Sequence, residues 1–411
     1  MAVVSQSSTI LSFEDARHSV EQHATGMRPA VVETVDLLAS ANRVLAQSVT
    51  ADRDFPPFRR AMRDGYAVRA ADLADLPATL EVIGEIKAGA PPESLPASVG
   101  PGQAAAIMTG APAPKGADAV VMVEYTSLTG DEVRITRSVS SGDNIVPSGS
   151  EARKGQIVLE AGTRMDYGTI AVAASVGLEA LAVFRRPEIA ILSTGDEVVP
   201  LGKQPGPHEI RNSNSYSLAA QVSQAGGVPR MLDIAPDEIQ RLRSLVQQGL
   251  QHDLLLLTGG VSMGKYDLVE QVLAELGAEF FFTGAQIQPG RPVVFGRVQG
   301  RYFFGLPGNP ISTMVTFELF ARPMLEALAG MTPRTLQFLH ARLKSDIKTK
   351  TGLTRFLPGT LSGEFERAEV ELAGWRGSGD VATMARSNCY IVIPPDREKI
   401  PAGEWVAVMM R

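Results

Sequence analysis

Cysteine is nearly absent from this chain of 411 residues, which has only Cys389. A single thiol cannot form an intrachain disulfide, and it excludes zinc sites built from several cysteines. The five histidines are scattered, and none stands four residues from another, the spacing of a zinc-binding helix. Any metal is therefore expected to be held by oxygen ligands, which favours Mg²⁺.

A strong excess of charge and a long apolar run are also lacking. The 39 basic and 45 acidic residues leave a net charge of −6, which argues against nucleic acid and favours a small-molecule partner, although a local basic cleft stays open. The N-terminus has neither the basic start nor the apolar core of a secretory signal. The most apolar window, residues 168–184, carries Glu179 and is shorter than the roughly 20 residues of a membrane helix. A cytoplasmic protein without a membrane partner is predicted.

What the sequence does contain is a multidomain α/β plus β pattern. Hydrophobic residues make up 44% of the chain, enough for the cores of about two to four domains. Short β-type runs predict a β-rich domain over residues 53–149, inserted into a helical first domain of residues 1–52 and 150–186. Alternating strands and helices predict a doubly wound α/β domain over 187–331. Short strands return over 332–411 and predict a small β-barrel or sandwich.

Three loops of the α/β domain combine glycine with hydroxyl, carboxylate or amide groups at predicted strand ends. Ligands bind outside the carboxyl ends of such strands, and glycine lets backbone N–H groups approach an anion. The loop residues of interest are Thr194, Glu197, Gly259, Gly260, Ser262, Gly264, Pro307, Gly308, Asn309 and Pro310. Three such loops predict a phosphate-bearing ligand, while the lack of G-x-x-x-x-G-K-[ST] and G-x-G-x-x-G excludes a Walker P-loop and an ordinary dinucleotide site.

Carboxylates accompany these loops. Glu197 and Asp267 follow loop glycines, and Asp237 lies near a third predicted strand end. A single loop carboxylate is most often a cap or solvated, but as a set around one phosphate they would hold Mg²⁺. Residues 56–68, PPFRRAMRDGYAV, have two interpretations: a β-turn at Asp64 with solvated arginines, or a loop that faces an anion. The residues alone leave that choice open.

Six segments, in this order and spacing, resemble the molybdopterin molybdenumtransferases, bacterial molybdenum-insertion enzymes similar to the E domain of gephyrin. The segments are RRAMRDGYAV, IMTGAPAPKGADAVVMVE, LSTGDEVV, TGGVSMGKYD, QPGRP and GLPGNPIS. The resemblance implies an elongated, four-part subunit that forms a homodimer and has a molybdopterin-binding α/β domain. It implies that adenylylated molybdopterin and molybdate react with the help of Mg²⁺, so that the pyrophosphate bond is cleaved, AMP leaves and molybdenum enters the dithiolene. It also implies a molybdopterin adenylyltransferase and molybdoenzyme acceptors as partners.

The resemblance also implies roles for individual residues. It assigns catalysis to four carboxylates, the last three of which also hold the metal: Asp64, Glu197, Asp237 and Asp267. It assigns substrate binding to the loop residues given above and to four further side chains: Thr109, Arg291, Arg355 and Ser378. Because Asp64 belongs to the inserted domain, far in sequence from the loops, we predict an active cleft shared between the two subunits of a twofold dimer.

The sequence departs from the family beside the expected oxyanion site. Gln288 and Gly284 occupy positions where lysine is usual, and Arg59 and Arg60 replace acidic and amide residues. Arg59, Arg60 and Arg291 are the candidates to compensate for the missing lysine, and we predict that Arg291 takes its role. The lost charge leaves the choice of oxyanion open, so a tungsten-inserting paralogue and a non-catalytic pterin-binding scaffold remain as alternatives.

Overall fold

The fold was obtained as a computed structural model. It describes residues 9–27, 29, 31–91, 93, 96–260, 268–332, 335–364 and 366–411. Its α-helices are Phe13–Ala24, Tyr167–Ser175, Ser213–Gln224, Ile239–Gly249, Leu268–Glu275, Pro310–Thr316, Arg322–Leu328 and Val381–Arg386. Within these ranges no helix combines the length and the apolar character needed to cross a bilayer.

The first part of the chain is built from segments that are distant in sequence. Its strand Val32–Asp36 pairs antiparallel with Ala180–Phe184, and Val49–Thr50 pairs antiparallel with Ile157–Leu159. Strands that precede the β-rich stretch therefore pair with strands that follow it, as expected if that stretch is an insertion. The limits of the insertion stay a prediction.

The inserted stretch folds into a six-stranded sheet, the β-rich sheet. Its strands, in spatial order, are Ala119–Met122, Gly65–Val68, Gln103–Ile107, Ala78–Ile86, Glu132–Ile135 and Thr126–Thr129. Asp64 immediately precedes the strand Gly65–Val68, and Thr109 lies two residues beyond its antiparallel neighbour Gln103–Ile107. Because antiparallel partners run in opposite directions, the start of one strand lies beside the end of the other, and Asp64 and Thr109 meet there.

A second six-stranded sheet, the α/β sheet, is mainly parallel. Its strands, in spatial order, are Val228–Met231, Glu188–Ser193, Leu254–Thr258, Arg301–Leu306, Val294–Val298 and Glu279–Phe282. The first four run parallel, and the last two complete one edge in antiparallel fashion. The carboxyl ends of the four parallel strands consequently lie along one side.

Both faces of the α/β sheet are buried. Alternate leucines of the strand Leu254–Thr258 belong to two separate cores, one of which contains the helix Ser213–Gln224 and the other the helix Ile239–Gly249. Neighbouring side chains of a strand point to opposite faces, so a strand covered on both sides is apolar throughout. This explains the run of four leucines and confirms the doubly wound arrangement.

The C-terminal part is a closed five-stranded barrel, which confirms the predicted barrel over a sandwich. Around the ring the strands are Thr354–Ser362, Glu369–Leu372, Leu339–Leu343, Trp405–Met410 and Cys389–Ile393, and the last pairs with the first. The short strand Ile287–Gln288 adds to Thr354–Ser362 in parallel and joins the barrel to the α/β part.

Short strand pairs complete the fold. They are Ile10–Leu11 with Gly284–Ala285, Arg60–Ala61 with Ile145–Val146, Val198–Val199 with Ile210–Arg211, and Ile347–Lys348 with Lys399–Ile400. The first pair places the N-terminal segment beside Gly284–Ala285, just before the strand Ile287–Gln288 that joins the barrel.

Candidate active site

The predicted loops converge at the carboxyl ends of the parallel strands. Together with the start of the helix Ser213–Gln224 they enclose a cleft of about 620 Å³, the loop cleft. Its lining includes the predicted Thr194, Glu197, Gly259, Gly260, Pro307, Gly308, Asn309 and Pro310, and the unpredicted Arg211, Asn212 and Asn214. Ser262 and Gly264 lie outside the described residues. The residues found here come from different strand ends, as in other open α/β folds with ligand sites.

Asn214 joins two of these loops. Its Nδ2 donates to the Thr258 Oγ1 at 3.0 Å and to the Gly308 carbonyl at 2.7 Å. The buried Thr258 hydroxyl in turn donates to the Pro307 carbonyl at 3.2 Å. These bonds fix the Pro-Gly-Asn-Pro loop against the strand end beside it.

Two loop glycines are required by close packing. Gly259 and Gly260 have φ values of +88° and +63°, a region that side chains disfavour. A Cβ atom on Gly259 would lie 2.5 Å from the Thr194 carbonyl oxygen, and one on Gly260 would lie 2.7 Å from the Thr194 Oγ1. Contact between two loops thus explains these glycines, in addition to any approach of an anion.

Two buried polar atoms on the wall of the loop cleft lack a protein partner. Among the described residues, the Thr194 Oγ1 and the Asn214 Oδ1 are buried and make no hydrogen bond. Buried polar groups are nearly always paired, so such atoms mark places where a ligand can bind. A ligand with several donors and acceptors would satisfy them.

Three carboxylates gather beside the loop cleft, and we call Asp196, Glu197 and Asp237 the acidic group. The Asp237 backbone N–H donates to the Asp196 Oδ1 at 3.0 Å. Burial, followed by the charges of Asp196 and Glu197, raises the pKa of Asp237 above its usual value. The sequence interpretation missed Asp196, although it stands next to Glu197. The predicted Asp267 lies outside the described residues.

The acidic group fits a divalent cation by its chemistry. In the described part of the chain, no three Asp, Glu, His or Cys side chains are already close enough together to hold a metal ion. Carboxylate oxygens are nevertheless the donors that Mg²⁺ prefers. A cation would relieve the repulsion from Asp196 and Glu197, which adds to burial in raising the pKa of Asp237. Glu197 and Asp237 are the residues that would bind it.

A second cleft, the barrel cleft, opens between the α/β part and the barrel. It measures about 450 Å³, and Gln288, Arg291 and Ser378 line it. It shares Pro292 and Asn309 with the loop cleft. The two spaces are therefore neighbours, and a small anion in one would lie close to a ligand in the other.

Arg355 contributes a buried positive charge behind this cleft. Only 6% of the residue is exposed, and burial lowers its pKa. Its Nε donates to the Gln288 Oε1 at 2.9 Å and its Nη1 to the Leu353 carbonyl at 3.0 Å. Both acceptors are neutral, and no carboxylate among the described residues forms a salt bridge with it. A buried charge without a counter-charge is costly, so this region favours an anion.

Gly284, the second position where the family usually has lysine, pairs with the N-terminal strand. A Cβ atom at Gly284 would lie 3.2 Å from the Ile10 Cγ1 and 3.4 Å from the Arg291 carbonyl oxygen. The site therefore has little room for a side chain at this position.

Asp64 and Thr109 contact each other, but neither lines the loop cleft or the barrel cleft of its own chain. The Thr109 backbone N–H and Oγ1 donate to the Asp64 Oδ1 at 2.6 and 2.8 Å, and these bonds lower the pKa of Asp64. No described residue of the β-rich sheet lines the loop cleft or the barrel cleft. Arg60 pairs with Glu151 at 2.8 Å, and Arg59 donates to the Ala117 carbonyl at 3.1 Å. Of the three candidate arginines, Arg291 is the one that lines the barrel cleft.

Comparisons with known proteins match this layout along most of the chain. Residues 11–177 match the MoeA N-terminal region (domain I and II), 190–327 a probable molybdopterin binding domain, and 340–410 the MoeA C-terminal region (domain IV). The molybdopterin molybdenumtransferase of Bacillus subtilis (strain 168) is 34% identical over 388 residues, which cover 92% of this chain and 89% of that protein. The chain belongs to the molybdopterin molybdenumtransferase family.

Further relatives agree with this assignment. The molybdopterin molybdenumtransferase of Nostoc sp. is 35% identical over 393 residues, which cover 92% of this chain and 88% of that protein. A crystal structure of the molybdopterin biosynthesis MoeA protein from Pyrococcus horikosii is 32% identical, covers 98% of this chain and 99% of that one, and has a TM-score of 0.70. Membership of this transferase family confirms that the chain is an enzyme.

Proposed function

We propose that this enzyme inserts molybdenum from molybdate into adenylylated molybdopterin, with Mg²⁺-assisted cleavage of the pyrophosphate bond and release of AMP. The supporting observation is that the acidic group and two adjoining clefts meet at one side of the α/β sheet. Curated relatives are named for molybdenum transfer to molybdopterin. The reaction needs places for a pterin, for phosphates and for an oxyanion, and we assign all three to this side of the sheet.

The loop cleft is proposed to bind the pterin and its phosphate. The Thr194 Oγ1 and Asn214 Oδ1 are the unpaired buried atoms that would contact the polar pterin edge. The Gly259 backbone N–H donates to the Leu306 carbonyl at 3.3 Å, so of these two close-packed glycines Gly260 is the one whose backbone N–H is proposed to approach the phosphate. Glu197 and Asp237 would hold Mg²⁺, with Asp267 as the further predicted ligand. When bound, the cation would polarise the phosphate oxygens.

The barrel cleft is proposed to bind the oxyanion. Arg355 supplies a buried guanidinium with neutral partners, and Gln288 holds it through the bond to Nε. Arg291 and Ser378 add a second cation and a hydroxyl on the same wall. A doubly charged oxyanion here would receive charge-assisted hydrogen bonds close to the pterin, where the metal has to arrive.

A homodimer with a shared cleft completes the proposal. Asp64 and Thr109 form an exposed pair that lines neither of these clefts of its own chain, which supports their acting on the loop cleft of the partner subunit. A twofold dimer would form two equivalent composite sites in this way. A molybdopterin adenylyltransferase would supply the substrate and molybdoenzymes would accept the product, in the predicted cytoplasmic location.

The test is to incubate the purified protein with adenylylated molybdopterin, Mg²⁺ and either molybdate or tungstate, and to follow AMP release. Molybdate-dependent release is expected. Glu197→Gln should abolish it, whereas Glu238→Gln, the removal of a nearby exposed carboxylate whose side chain makes no capping bond, should not. Faster release with tungstate would favour the tungsten-inserting alternative. Pterin binding without release under any of these conditions would favour the scaffold.

A further inference from the structure

The wall of the barrel cleft carries little charge. Among the described residues that line it, Arg291 is the only charged one, and none is a carboxylate. Uncharged side chains on the same wall can also donate hydrogen bonds, and they are Gln288, Asn309, Ser312 and Ser378. An anion in this cleft would therefore meet one charged side chain on the wall and several neutral donors.

Gln288 is held in one orientation by a residue of the barrel. In the parallel pairing of the strands Ile287–Gln288 and Thr354–Ser362, Gln288 lies opposite Arg355. The Arg355 Nε donates to the Gln288 Oε1 at 2.9 Å. A guanidinium N–H can only donate, so the Gln288 amide has to turn its oxygen towards Arg355 and its nitrogen away.

The two N–H groups on the Gln288 Nε2 are left for a ligand. Gln288 is exposed and lines the cleft, and within the described ranges no residue accepts a hydrogen bond from its Nε2. Arg355 is 6% exposed and is not among the described residues of the wall. The Gln288 amide thus stands between a buried cation and the cleft. Hydrogen bonds in a chain polarise one another, so the bond from Arg355 makes Nε2 a stronger donor while leaving it uncharged.

We propose that Gln288 determines the specificity of the barrel cleft by donating from Nε2 to the bound oxyanion. This inference rests on the proposed function, because that function places an oxyanion in this cleft. The cleft selects its ligand mainly by shape and hydrogen-bond acceptors and only weakly by charge, because a single charged side chain lines its described wall. It is therefore expected to bind singly charged tetrahedral oxyanions as well as the doubly charged molybdate and tungstate.

Calorimetry on the full-length protein without pterin tests this directly. The probes are molybdate, which is doubly charged at neutral pH, and perrhenate, a singly charged tetrahedral oxyanion. The parent is expected to bind perrhenate within about tenfold of molybdate at equal ionic strength, the scale of one charge pair in a water-filled cleft. Gln288→Lys adds a cation and should widen the ratio of the two affinities by about a further tenfold. Gln288→Met removes the donors at similar side-chain length and should weaken both anions about tenfold.

Gln286 supplies the matched controls. It is an exposed glutamine two residues earlier in the chain, and it does not line the barrel cleft. Gln286→Lys adds the same charge and Gln286→Met removes the same amide, so both variants should keep the parental affinities and their ratio. Because both positions are exposed, all four variants are expected to fold, and thermal unfolding checks this.

Four results would overturn the assignment: no detectable binding of either anion to the parent, a parental preference for molybdate above about a hundredfold, parental affinities in Gln288→Met, or the parental ratio in Gln288→Lys. The proposed function fails separately. If anion binding depends on Gln288 but turnover gives no molybdate-dependent AMP release, the specificity of the cleft stands and the insertion reaction does not. If release occurs but anion binding ignores Gln288, the reverse holds.

Discussion

Replacing Gly259 by alanine tests whether the packing of the loops against each other holds the active cleft in shape. The new Cβ would lie 2.5 Å from the Thr194 carbonyl oxygen and 3.1 Å from its Oγ1. The nearest of these atoms belongs to the backbone, so a side-chain rotation cannot relieve the overlap. Gly277→Ala is the matched control, because Gly277 has φ +83° against +88° for Gly259 and no atom within 4 Å of its would-be Cβ.

Both variants carry the cost of a left-handed alanine, and Gly259→Ala alone also carries the cost of overpacking. A left-handed backbone costs an alanine about 1–2 kcal/mol, and both variants carry this cost. Overpacking adds roughly 1–3 kcal/mol in Gly259→Ala alone. The free energy of unfolding should therefore fall by about 2–5 kcal/mol in Gly259→Ala and by about 1–2 kcal/mol in Gly277→Ala.

Thermal unfolding and AMP release measure the two consequences. At about 2–4 °C per kcal/mol for a domain of this size, Gly259→Ala should melt several degrees below Gly277→Ala. Its AMP release should fall at least about tenfold, because displacement of Thr194 misplaces the substrate, while Gly277→Ala keeps the parental rate. Equal melting temperatures together with equal rates would refute the packing argument.

Three other outcomes are expected. The pKa of Asp237 is raised in the folded protein, so its ionisation lowers the free energy of unfolding as the pH rises from the ordinary carboxyl pKa of 3.8 through the folded pKa. Asp237→Asn should therefore stabilise the protein at neutral pH but not below pH 3.8. It should also lower AMP release. A stability gain that does not depend on pH would contradict this. Gln288→Glu should pair with the Arg355 guanidinium and raise the molybdate concentration for half-maximal AMP release several-fold, whereas an unchanged titration would argue against an oxyanion at Arg355. An equal mixture of Asp64→Ala and Glu197→Ala subunits should form about half heterodimers, each with one intact site out of two, and so recover about a quarter of parental AMP release. No recovery at any mixing ratio would contradict the shared cleft.

The meeting of the three loops could be predicted because it follows from local order. Each loop begins directly after a buried parallel strand, at Thr194, Gly259 and Pro307. Parallel neighbours end on the same side, so strand–helix alternation is enough to place the three loops together. The same reasoning located Asp237, which lies close after another strand.

Other contacts could not be read from the sequence, because they depend on how distant elements pack. Asn214 reaches two loops only because its helix lies against the ends of two strands. The bond from Arg355 to Gln288 crosses 67 positions and requires a parallel pairing between the α/β part and the barrel. No local pattern distinguishes Arg291, which lines the barrel cleft, from Arg60, which pairs with Glu151.

The N-terminal strand couples Gly284, a position where the family usually has lysine, to Ile10, which lies more than 270 residues away in the chain. A Cβ atom at Gly284 would lie 3.2 Å from the Ile10 Cγ1, so Ile10 would have to shift by a few tenths of an ångström. The strand is held there by bonds from the Thr283 N–H to the Thr9 carbonyl and from the Gln286 N–H to the Leu11 carbonyl. We therefore expect positions 10 and 284 to be epistatic, because a smaller residue at position 10 would remove this contact before a lysine is introduced at position 284. A double-mutant cycle of Ile10→Ala and Gly284→Lys would show a smaller loss of stability than the sum of the two single losses.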